Sequence, residues 1–97
     1  MSEKDEVTKR VTVKIEKYKQ AKEYLENCGE LTVDKLVKMN DIAQVGFKRE
    51  ELQQQMDNSA LILPSGDRPG GKEAIRWMML QSLDEGIEKF QEVLKML

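Results

Sequence analysis

Apolar residues in the first third of the chain keep a helical rhythm. Val11, Tyr18 and Leu25 recur every seven residues, Ala21 and Cys28 fall on the companion seam, and Val7 and Ile15 flank it. Lysine and glutamate fill the other face. This spacing predicts one long amphipathic helix from about Glu3 to Cys28, with a coiled-coil repeat. Gly29 stands where a left-handed C-terminal cap is expected. The segment 11-VTVKI-15 also alternates with period two and by itself reads as a strand. The seven-residue pattern continues through it to Leu25 without a turn signal, and that favours the helix.

A second apolar stripe runs through 31-LTVDKLVKMNDIAQ-44: Val33, Leu36, Val37, Met39, Ile42 and Ala43. Thr32 is the expected N-cap, and Asp34 in the first turn suits the helix dipole. Gly46 is expected to end this helix. A third, shorter helix over 48-KREELQQQMDN-58 points Leu52 and Met56 inward. The last helix has the clearest pattern, with Leu80, Leu83, Ile87, Phe90, Leu94 and Leu97 alternating steps of three and four. Its first turns are apolar on more than one side, through Ile75, Trp77, Met78, Met79 and Leu80, and so demand neighbours on more than one side. Gly86 interrupts it, either for a close helix approach or as a tolerated weak point of about 1 kcal/mol relative to Ala.

These elements predict an all-α fold in a single domain spanning 1–97. It is a small antiparallel helical bundle with long first and last helices, two short helices between them, and a Gly/Pro loop at 64–71. The alternative is an α+β fold in which 11-VTVKI-15 pairs with 60-ALIL-63 as short strands.

Composition narrows the chemistry. The chain has 97 residues, 16 Lys and Arg against 18 Asp and Glu, a net charge of −2 and a pI near 5.2, so bulk electrostatics give no pull toward nucleic acid or an anionic membrane. There is no histidine, hence neither the commonest neutral-pH base nor the commonest metal ligand. The single cysteine, Cys28, precludes an intrachain disulfide and fits a reducing compartment. The charged start of the chain has no signal-peptide core, and no apolar run is long enough to span a membrane. The expected location is the cytoplasm. No metal, cofactor or catalytic set is expected, and the chain reads as non-enzymatic.

Three features carry candidate functions. In 66-GDRPGGKE-73 the residues Gly66, Gly71 and Lys72 have the spacing of a phosphate-cradling loop, but Glu73 replaces the magnesium-binding hydroxyl and the parallel sheet such a loop needs is missing. A weaker reading survives, an anion site for a phosphate-bearing small molecule such as a nucleotide, built from Arg68, Gly70, Gly71 and Lys72 at a helix start. The stretch 31–56 has the outline of a helix-turn-helix, and Lys48, Arg49 and the glutamines suit base edges. Glu50 and Glu51 in its first turn oppose phosphate, so nucleic-acid binding ranks last. Pairs such as Lys19–Glu23 and Lys22–Glu26 are expected as surface ion pairs, and Tyr24 as an exposed contact residue. The leading reading is a protein-interaction module or small regulator that self-associates or docks on a protein partner. Its apolar surface is drawn from Trp77, Met78, Met79, Phe90, Leu94 and Leu97.

Overall fold

The computed structural model describes residues 3–97. It is all-α among those residues: α1 (Glu3–Asn27), α2 (Val33–Ala43), α3 (Arg49–Asn58), a 3-10 turn (Ser59–Leu61) and α4 (Gly71–Met96). The stretch 11–15 is helical and 60–63 forms no strand, so the strand alternative is overturned. A seven-residue apolar repeat buries one face continuously only when wound as a helix, and this outweighs the local β-propensity of 11-VTVKI-15.

Each helix end has a local cause. After α1, Gly29 takes φ +78°, the left-handed conformation that lets the chain reverse. The Thr32 hydroxyl accepts from the Lys35 N–H at 3.3 Å and starts α2. Leu31, just before that cap, and Leu36, in the helix's second turn, are both fully buried, the arrangement of a hydrophobic staple. The end of α2 departs from expectation: Gln44, not Gly46, takes the left-handed position, at φ 57°. The side chain of Asn40 holds the turn that follows, donating to the Phe47 carbonyl at 3.0 Å and accepting from the Phe47 N–H at 3.2 Å. In α3 the Glu51 carboxylate accepts from the Lys48 N–H at 3.5 Å.

The core gathers Ala21 and Leu25 of α1, Leu31, Leu36, Met39 and Ala43 of the α2 segment, Leu52 and Met56 of α3, and Ile75, Met79 and Leu83 of α4. Ile15, expected to flank the α1 seam, is buried as well. Tyr24, expected to be exposed, is half-buried against the core with the Lys38 ammonium 5.2 Å from its ring centroid. The long helices run antiparallel and are tied by two cross-links, Lys22 to Asp84 at 2.7 Å and the Tyr18 and Phe90 rings edge-to-face at 5.3 Å, while the Arg76 guanidinium of α4 donates to the Gly29 carbonyl in the turn after α1. Lys22 thus reaches across to α4 rather than along α1 to Glu26.

A core at one end leaves the other end bare. No residue before Ile15 in the described part of α1, and none after Leu83 in α4, is buried. α2 reaches α1 only as far as Lys17, whose ammonium donates to Gln44 Oε1 at 2.8 Å. Beyond that point α1 and α4 continue as a two-helix arm, and the molecule measures 51 × 28 × 21 Å.

Candidate interaction surface

The arm is held by a single seam. Ile15, with the half-buried Val11, Tyr18, Ile87, Phe90 and Leu94, closes the α1–α4 contact. Because no third helix lies on it, other apolar side chains stay in water: Val7 is 39% exposed, Val13 47%, Val93 37% and Met96 82%. The exposed surface of the whole molecule is 6757 Å². A compact monomer of this mass exposes roughly 5,700 Å², so about 1,000 Å² is surplus. The radius of gyration, 15.3 Å, agrees with that; a compact chain of this length has about 12.5 Å.

Where the arm meets the body lies a cleft of about 450 Å³ between Tyr18, the 45–47 turn and the middle of α4. Its floor is the core itself, Met39, Met79 and Leu83, and its lip is Phe47, 40% exposed. Glu51, Glu85 and Lys89 stand on the rim. Gly86 lets the Tyr18 ring form one wall.

The six apolar residues expected to form an interface are not one surface. Met79 is buried in the core, because it faces α2 and α3 at the covered end of α4, and it is corrected from interface to core. Met78 is 49% exposed at that same end. Trp77 is half-buried beneath the Arg68 guanidinium, 5.2 Å from a ring centroid. Phe90, Leu94 and Leu97 lie along the arm, half-buried. The expected interface contains none of Val7, Val13, Val93 and Met96, the four large apolar groups of the arm that stand exposed. Their signal was apolar residues standing off the a/d seam, visible along the chain but not assignable without knowing where α2 stops.

At the 64–71 loop the Ser65 and Arg68 backbones pair in a tight turn at 3.1 and 2.9 Å, and the Gly71 N–H donates to the Ile62 carbonyl at 3.0 Å. Gly70 caps α4 packed against Pro64, and Gly71 begins it at φ +63°. The two cations do not converge. Arg68 lies over Trp77, and Lys72 pairs with Glu30 at 3.2 Å. On the α2–α3 unit, Arg49 is engaged with Asp34 at 2.6 Å.

Among the described residues no group of three or more Cys, Asp or Glu is placed to hold a metal ion, and no helix is long and apolar enough to cross a membrane. Cys28 is free and half-buried, with its thiol directed to the Leu25 carbonyl at 3.5 Å. The chain matches no protein-family model, no curated protein and no solved structure.

Proposed function

We propose that this chain is a non-enzymatic protein-interaction module whose working surface is the two-helix arm, engaged by helical protein surface. The observation that carries the reading is the surplus of about 1,000 Å² of exposed surface, since a stable interface takes about 800 Å² from each partner. Four exposed apolar side chains, Val7, Val13, Val93 and Met96, lie on the arm. An uncovered α-helical pair gains most by acquiring further helices, because each added helix buries apolar stripes that water otherwise surrounds. The arrangement suits an assembly subunit or a small regulator. A reducing, cytoplasmic setting fits the free thiol of Cys28.

No geometric observation favours the anion-site reading of Arg68, Gly70, Gly71 and Lys72, nor nucleic-acid reading by α3. Arg68 lies over Trp77, Lys72 pairs with Glu30, and Arg49 pairs with Asp34.

Sedimentation and native mass spectrometry of the chain purified from its own host test the proposal. The expected mass exceeds 11.2 kDa, and the double variant Val93→Glu/Met96→Glu returns it to the single-chain value while keeping the helical circular dichroism of the wild type. A wild-type chain that sediments alone at every concentration and carries nothing from its host overturns the reading.

A further inference from the structure

α1 carries a second pattern, independent of its seam with α4. Read from both ends toward Arg10, the stretch Glu3–Lys17 is complementary to itself: Glu3 corresponds to Lys17, Glu6 to Lys14, Val7 to Val13, and Thr8 to Thr12. At 3.6 residues per turn, Glu3, Glu6, Arg10, Val13 and Lys17 fall on one stripe, with Val7 and Lys14 at its edge. The structure places most of this stripe in the open: Glu6, Arg10, Val13, Lys14 and Lys17, together with Lys9 outside the pattern, line one shallow depression of about 460 Å³ along the arm. Val7 and Val13 are the two large apolar groups of α1 that are more than one-third exposed. Lys17 at the body end of the stripe touches Gln44, so the stripe begins where α2 stops.

From this self-complementarity we infer that the arm's partner is a second copy of the same chain, docked α1 against α1, antiparallel, about a two-fold axis at Arg10. The inference rests on the reading of the arm as an interaction surface and names its occupant. In an antiparallel pair, residues whose numbers sum to a constant face one another. With the axis at Arg10 each copy sets Glu3 against Lys17, Glu6 against Lys14 and Val7 against Val13 of its partner. Every contact then occurs twice, as an isologous interface requires. The partner's α1 continues the layer that α2 begins. Its N-terminal end meets the C-terminal end of α2, so the two helix dipoles align head to tail. On α4, Val93 and Met96 stand at the helical spacing that continues Ser82, Gly86 and Lys89 of the cleft, and both are exposed. The surplus of about 1,000 Å² per copy matches what each partner of a stable dimer buries.

The apolar groups supply the drive and the charges set register and direction. A parallel pairing of the same stripes would oppose Glu3 to Glu3, Glu6 to Glu6 and Lys14 to Lys14, and is excluded by repulsion. Like charge remains at the axis of the antiparallel pair, Arg10 against Arg10 with Lys9 beside it, and each Arg10 guanidinium lies one turn from the partner's Glu6.

Charge reversal in the full chain, read by sedimentation equilibrium, tests the pairing. Lys14→Glu and Glu6→Lys are each expected to weaken the dimer about tenfold or more, and the double variant Glu6→Lys/Lys14→Glu to restore the wild-type constant to within about threefold. In a Cys28→Ser background, Arg10→Cys is expected to oxidise to a covalent dimer at low protein concentration. Glu16→Cys, on another face of α1, is expected to stay reduced. A dimer indifferent to both single reversals, equal trapping at the two cysteines, or a complex holding only a different protein overturns this pairing and leaves the interaction module standing. A wild-type chain that remains alone overturns both.

Discussion

Gly86 of α4 gives up its side-chain space to the ring of Tyr18 on α1. A Cβ on Gly86 would stand 2.5 Å from Tyr18 Cε2 and 2.9 Å from Cδ2, well inside van der Waals contact. The ring then meets Phe90 edge-on, with 74° between the ring planes. This close approach fixes how near the two long helices lie at the point where the body gives way to the arm. Gly86→Ala is therefore expected to destabilise the fold by about 1–2 kcal/mol, the overpacking penalty outweighing the gain of about 1 kcal/mol in helix propensity. In a Tyr18→Leu background the same substitution is expected to be neutral or stabilising. Urea unfolding of the four variants measures the coupling, and additive effects would refute the contact.

The glycines before α4 differ in why they are glycine. At Gly70 a Cβ would meet Pro64 Cδ at 2.6 Å, the Pro64 nitrogen at 2.7 Å and the Ile62 carbonyl oxygen at 2.8 Å. At Gly71 nothing lies within 4 Å, but φ is +63°. Gly70→Ala must displace backbone and is expected to destabilise by about 2 kcal/mol or more. Gly71→Ala bears the left-handed penalty alone, about 1 kcal/mol. Gly71→Asn is expected to recover part of that loss and Gly70→Asn none. Thermal unfolding distinguishes the two patterns.

Two methionines of α4 separate folding from association. Met79 is 7% exposed and Met96 is 82% exposed. Met79→Ala is expected to reduce stability by about 2–5 kcal/mol. Met96→Glu is expected to change monomer stability by less than about 0.5 kcal/mol, yet to weaken association. Calorimetry at low concentration and sedimentation at high concentration report the two effects separately. Equal loss of stability in both variants would place Met96 in the monomer core.

The Lys22–Asp84 link carries a pH signature. A hydrogen bond to the Asp84 carboxylate raises the Lys22 ammonium above its ordinary 10.5; desolvation opposes it, and the attraction of Asp84 and then of Glu26 adds to the rise. A folded-state value above the unfolded one means that the contribution is complete below about pH 10.5 and disappears as pH rises through the folded value. The stability difference between the wild type and Asp84→Asn, followed by urea unfolding, is expected to be constant from pH 7 to 9 and to shrink above pH 10.5. A difference that grows in that alkaline range would contradict the link.

Much of the fold was legible from the repeat. The seam through Ala21 and Leu25 and the stripe through Leu36, Met39, Leu52, Ile75 and Leu83 are governed by helical periodicity, a local property that needs no knowledge of the partner surface. Thr32 and Gly29 announced their caps for the same reason, because a cap is satisfied within one turn of its own backbone. Gln44 escaped notice because its left-handed turn is held by Asn40 bonding to Phe47, a contact no single-residue preference predicts. Asp84 as the partner of Lys22 required knowing the α1–α4 register, since Glu26, one turn away, is the nearer carboxylate along the chain.

The candidate surface divides along the same line. Periodicity alone established that the first and last helices are long and amphipathic, and composition that the chain has no histidine and a single cysteine. Which stretches of those helices were left bare was decided by how far α2 and α3 extend. Eleven and ten residues of helix span only about 16 Å, and α1 is more than twice that length. The arm is the part of α1 and α4 that the short helices cannot reach. Its exposure follows from relative lengths and docking positions in space, whereas the pattern along the chain marks a residue as apolar without saying what, if anything, lies across from it.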